Sequence, residues 1–256
     1  MREFFGFGGY QREPSGAYSF GHLFQVTIIL VILLGLAVFF GIKNKNKDEK
    51  TKNIPIIVAA IAIDALEIFK IFIVCIRAHD ASLILLNLPL FLCSLQLITL
   101  PVAAFTKGRI REACLDFIFM FGILGGLAGT YGAAQLYGSY PVFCFDNVVS
   151  AITHSISAFA SIYIGVVGLA SMKKKNIFIT FSLLIGLCIL AYIADVLIPY
   201  NYMFLRNHDG TPYQIFYNLV NGNKVLYPMI VVILFLLYIL VFYGVVFLIR
   251  RKKAKE

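Results

Sequence analysis

Charge is what this sequence has least of. Only 14% of its 256 residues are Asp, Glu, Lys or Arg, against about 25% in a typical soluble domain. With 60% hydrophobic residues and a mean hydropathy of +0.87, most of the surface cannot face water, which excludes a soluble globular protein. Cysteine is sparse and unpatterned. Cys75, Cys93, Cys114, Cys144 and Cys188 are odd in number and scattered, and all but Cys144 fall inside apolar runs. They make neither a disulfide framework nor a CxxC-type metal site, so no metal and no cofactor is expected and the redox compartment stays open. The residues before the first apolar run are not a basic n-region, and that run is too long for a signal-peptide core. It reads as a retained helix. Internal repeats, low-complexity tracts and nucleic-acid motifs are also missing, so the formal charge of +9 does not by itself point to nucleic acid.

What is present is a series of long apolar runs. Seven reach the roughly 20 residues needed to cross a bilayer: Ser19–Ile42, Ile54–Ile76, Ser82–Phe105, Glu112–Ala134, Asn147–Ala170, Asn176–Pro199 and Tyr227–Ile249. The segments after the first, third, fifth and seventh runs are KNKNKDEKTK, KGRIR, KKK and RRKKAK, and they hold sixteen of the 22 basic residues. The other side has only Arg2, Arg12, Arg77, Arg206 and Lys224, while Lys70 lies within a run. Basic residues flank the cytoplasmic side of membrane helices. The expectation is an all-α, multi-pass bundle of seven transmembrane helices in the cell membrane, N-terminus outside and C-terminus cytoplasmic. Residues 1–18 form an irregular outer extension, 19–249 the membrane domain and 250–256 a basic tail. Residues 200–226 make an unusually long outer loop whose aromatics suit an interfacial lid. Basic clusters beside membrane helices also attract anionic lipid heads.

Polar residues inside the runs are informative because a charge costs roughly 2.5–3.5 kcal/mol at a helix centre. Asp64, Glu67 and Lys70 follow one another at i, i+3 steps on the second run. Glu67 and Lys70 can pair, which leaves Asp64 to find another partner. They read either as a structural charge cluster or as a substrate- or proton-handling group. The fifth run carries a stripe, Asn147, Ser150, His154, Ser157 and Ser161, that faces one side of a helix. Small hydroxyls of this kind often serve helix packing; His154 is equally open to a structural or a functional role. The third run holds Asn87, Pro89, Cys93 and Gln96, and a buried cysteine is commonly an inert small hydrophobe. Gly122, Gly125, Gly126, Gly129 and Gly132 on the fourth run read as a close-packing face. On the expected topology Lys70, Cys93, His154, Asp195, His22 and Asn201 all lie in the outer half of the bilayer, with Glu67 near the middle. That asymmetry points to a cavity between helices, open outward.

The segments LPLFLCSLQL (88–97), FDNVVSAITHSISAF (145–159) and NYMFL (201–205) resemble, in order and spacing, the YwaF-like bacterial integral membrane proteins. Animal relatives of that family include an acyltransferase proposed to move polyunsaturated acyl chains onto ether phospholipids with a cysteine and a histidine. The resemblance implies Cys93 as nucleophile and His154 as its base, with membrane lipid as acyl donor or acceptor. Asp64, Glu67, Lys70, Asn87, Gln96, Ser150, Ser157, Asp195 and Asn201 are the candidate substrate-binding residues. Gln96, Asn87 or the hydroxyls of the fifth run can serve a developing oxyanion. Two other readings stand beside lipid acyl transfer or hydrolysis. One is a small-solute or proton-coupled transporter using Asp64, Glu67, Lys70 and His154; the other is a ligand-binding membrane protein without catalysis. A retinal photoreceptor is excluded, because the seventh run has no lysine for a Schiff base.

Overall fold

The computed structural model describes residues 1–14 and 16–253; Ser15 and residues 254–256 of the basic tail lie outside the described residues. Every regular element among the described residues is helical. The α-helices are α1 (Phe20–Asn44), α2 (Glu49–Ala78), α3 (Gln96–Phe105), α4 (Gly108–Tyr131), α5 (Ala134–Ser139), α6 (Phe145–Val167), α7 (Ile177–Leu197), α8 (Gln214–Leu219) and α9 (Leu226–Lys253). Short 3₁₀ turns at Ala81–Asn87, Lys174–Asn176 and Tyr202–Phe204 punctuate them.

The chain divides into two compact units: Met1–Leu88 with Cys93–Ser171, and Pro89–Leu92 with the residues from Met172 on. In the first, α6 is the central helix, packed against α1, α2 and α4. Two-thirds of its apolar stretch is buried, against 17% for α1. The outward faces of α1 carry large apolar side chains such as Val31, Ile32 and Phe39, each more than half exposed, as a lipid-facing helix should. Helix α6 ends at Gly168, whose φ of 82° is a left-handed conformation that glycine adopts without a Cβ penalty. In the second unit α7 packs with α9 and with the 3₁₀ turn Tyr202–Phe204. Phe91 joins that unit by its ring contacts with Tyr200, Tyr202 and Phe204, at centroid distances of 5.2–5.9 Å.

Five helical stretches among the described residues are long and apolar enough to span a membrane: Phe20–Asn44, Gly108–Ser139, Phe145–Val167, Lys174–Leu197 and Leu226–Lys252. Two of the expected runs differ in character. Helix α2 is 30 residues long, but Asp64, Glu67 and Lys70 interrupt its apolar stretch. The third run is not one continuous helix. It forms the 3₁₀ turn Ala81–Asn87, an irregular stretch and then the 10-residue α3. Pro89 supplies the reason: the residue before a proline is pushed out of the helical region, and Leu88 is extended, at φ −62° and ψ 147°.

The N-terminal extension is folded onto the first unit. Phe4, Phe5 and Phe7 pack against Ile73, Phe145 and Val149, and the Phe145 amide donates to the Phe4 carbonyl at 2.8 Å. A charged clasp fixes it. Arg77, at the end of α2, donates to both carboxylate oxygens of Asp146 on α6, at 2.6 and 2.9 Å. The Tyr10 hydroxyl donates to the same carboxylate at 2.6 Å, and Arg77 also donates to the Phe5 carbonyl at 3.1 Å. Burial, then the Asp146 bond, push the Tyr10 phenol well above its ordinary range, so it stays a donor.

Candidate functional site

The polar stripe on α6 separates into joints and one free group. Asn147 donates to the Pro141 carbonyl at 2.9 Å, Ser161 to the Phe119 carbonyl of α4 at 2.6 Å, and Ser157 to its own helix at Thr153, 3.2 Å away. These bonds tie the helix to its surroundings or back to itself. His154 differs. Its Nδ1 lies 2.8 Å from the Ser150 carbonyl and 3.4 Å from the Ser150 hydroxyl. A carbonyl only accepts, so Nδ1 carries the ring proton and Nε2 is left with its lone pair.

Cys93 sits near that ring, against the same face of α4. The turn that precedes α3 carries it, with the Ser94 hydroxyl 4.0 Å from its sulfur. The Cys93 thiol and the His154 imidazole are near enough to influence one another electrostatically. Both side chains are only partly buried.

Helix α4 makes the space for this pair. A Cβ at Gly125 would stand 3.4 and 3.5 Å from Cα and Cβ of Cys93, and a Cβ at Gly129 would overlap the His154 ring at Cδ2 and Nε2. Gly125 and Gly129 are one turn apart on one face. Gly122 and Gly126 serve the packing role expected of small residues: a Cβ there would press on the Ser157 carbonyl and the Ala158 methyl, respectively. Two neighbouring glycine tracks thus do different things, and the one facing Cys93 and His154 is not distinguishable in the spacing alone.

Lys70 and Glu67 form an ion pair one turn along α2. Asp64 Oδ1 is buried with no hydrogen-bond partner. Gln96 is fully buried; its carbonyl oxygen accepts from the Thr99 hydroxyl at 3.1 Å, while its Nε2 has no acceptor. Asn87 donates to the Leu83 carbonyl at 2.8 Å and so closes its own 3₁₀ turn. His22 is a joint: Nε2 is bonded to the Thr130 carbonyl at 3.0 Å, Nδ1 accepts from the Tyr18 amide, and the ring stacks on Tyr137 at 3.8 Å. Asp195 and Asn201 belong to the second unit. Asp195 accepts from the Tyr202 amide at 2.6 Å. The Asn201 side chain holds the following turn through Arg206, Asn207 and Asp209.

The Tyr10–Arg77–Asp146 clasp is the functional-looking feature that sequence reading misses. Arg77 and Asp146 are 69 positions apart, and the only signal was a charge of each sign at the ends of two different runs.

An all-helical chain with several helices of spanning length, apolar outward faces and polar groups turned inward is a multi-pass membrane protein. The chain belongs to the TMEM164 family, whose model matches residues 17–246 and so includes both Cys93 and His154. No curated protein and no solved structure matches it.

Proposed function

We propose that the protein is a YwaF-like enzyme of the bacterial cell membrane that moves or hydrolyses the acyl chain of a membrane lipid, with Cys93 as nucleophile and His154 as general base. The observation that supports this reading is that Cys93 and a histidine whose Nδ1 is already committed to the Ser150 carbonyl sit against Gly125 and Gly129, one turn apart on α4. A thiol in apolar surroundings is inert until a base takes its proton. Here Nε2 accepts that proton, and the thiolate attacks the ester carbonyl of a lipid. The C–O bond breaks, the departing lysolipid oxygen takes the proton back from the imidazolium, and the acyl chain remains as a thioester on Cys93. A second lysolipid hydroxyl, or water, then gives its proton to Nε2 and attacks the thioester, releasing Cys93. Gln96 Nε2, buried without an acceptor, is the donor we assign to the oxyanion; such a donor is worth roughly 2.7–4 kcal/mol in the transition state. The seven-helix arrangement with the N-terminus outside would set this pair in the outer half of the bilayer, beside the acyl chains.

Labelling of the purified protein with a long-chain acyl electrophile tests the reading. Cys93→Ala and His154→Ala should each abolish labelling while helical content and Tm are retained. Labelling that survives both substitutions sinks it. The unpartnered Asp64 Oδ1 beside the Glu67–Lys70 pair favours one rival, a proton or solute relay. In that case Glu67→Gln impairs function in cells and Cys93→Ser does not.

A further inference from the structure

The second unit contains a groove of about 480 Å³ between α7 and α9. Ile185, Ile189 and Ile193 line one wall and Met229 and Ile233 the other. At 1.5 Å per residue the α7 wall runs for about 12 Å along the helix. One leaflet of a hydrocarbon core about 30 Å thick has nearly that depth. One end of the groove differs from the rest. Lys224 lies there, the only charged residue in the lining, and it is exposed. Tyr192 marks the same end of α7, since its hydroxyl donates to the Lys224 carbonyl at 3.4 Å.

Lys224 is placed where a cation is not expected for stability. Asn223 caps α9, its side-chain oxygen accepting from the amides of Val225 and Leu226 at 2.9 and 3.0 Å. Lys224 therefore lies in the turn just before the 28-residue α9, beside the positive end of its dipole, where lysine is disfavoured and an anion is stabilised. No acidic side chain among the described residues pairs with it. It is also one of only five basic residues on the side away from the basic loops.

We infer that this groove binds one acyl chain of an anionic phospholipid, with the lipid phosphate held by the Lys224 ammonium. An apolar channel nearly one leaflet deep, with an unpaired cation at its aqueous end, has the polarity profile of such a lipid. A zwitterionic lipid brings its own ammonium to that end and gains less. The inference is independent of the Cys93–His154 reading, because every residue in it belongs to the second unit.

Native mass spectrometry of the full-length protein with equimolar dioleoylphosphatidylglycerol and dioleoylphosphatidylcholine tests it. Phosphatidylglycerol should be retained several-fold over phosphatidylcholine. Lys224→Ala should erase that preference and Lys224→Arg preserve it, since Lys224 is exposed and neither change disturbs packing. Ile189→Trp, which fills the groove, should lower retention of both lipids. Equal retention of the two lipids by the wild-type protein overturns the proposal, as does a preference that survives Lys224→Ala or retention untouched by Ile189→Trp. Acyl-electrophile labelling of Cys93 should be unchanged in Lys224→Ala, so failure here and failure of the enzymatic reading are separable.

Discussion

At the scale of single residues, the orientation of His154 rests on a backbone atom. The Ser150 carbonyl, at 2.8 Å, is the better partner of Nδ1; the hydroxyl at 3.4 Å is marginal. Ser150→Ala is therefore expected to leave Cys93 labelling within about twofold of wild type, well under the 1.4 kcal/mol that a tenfold change represents. A collapse of labelling in that variant would show that the hydroxyl orients the ring. Gly129→Ala should behave oppositely, because its methyl would occupy the space of the imidazole. It should cost about 1–3 kcal/mol by overpacking and, by displacing Nε2, reduce labelling further than the loss of folded protein explains. A melting curve and a labelling assay on the same preparation separate the two effects.

Individual elements explain why α4 is rich in glycine and why α2 carries an arginine in its last turn. Gly122→Ala drives a methyl against the Ser157 carbonyl, so α4 and α6 must part, with a loss of about 1–3 kcal/mol. Gly35→Ala on α1 meets nothing within 4 Å and should be neutral or slightly stabilising, since alanine is the better helix former by about 0.5–1 kcal/mol. Paired melts of the two variants decide whether packing or propensity governs. At the other end of α2, Arg77→Ala leaves the largely buried Asp146 carboxylate without its cation, at a cost of about 3 kcal/mol. The N-terminal segment should then open, and limited trypsinolysis should cut at Arg12 much faster than in the wild-type protein. Arg77→Lys should rescue it only partly, because the two-pronged bond is lost.

For the whole molecule, the charge asymmetry of the loops makes one testable statement. An N-terminal epitope should be accessible on intact cells and a C-terminal epitope only after permeabilisation. Finding both on the same side would remove the odd helix count. The membrane-spanning character itself is legible in the amino-acid sequence, because shortage of charge and long apolar runs follow from composition alone. The broken third run is less legible. Pro89 stands in the sequence, but a proline within a membrane segment can bend a helix as well as divide one, and only the path of residues 88–95 decides which.

By itself the sequence determined the kind of protein and its candidate chemistry. Hydropathy settles what can face lipid, and His154 is notable because polar groups in an apolar run are expensive; Cys93 stands out only through the family resemblance. Tertiary structure decided which polar groups meet. Whether Ser157 and Asn201 face a cavity or a carbonyl, which glycines make room for a ring, and that Arg77 finds Asp146 all depend on helix rotation and approach. Periodicity places residues on a face of one helix but carries no information about which face of another helix it meets.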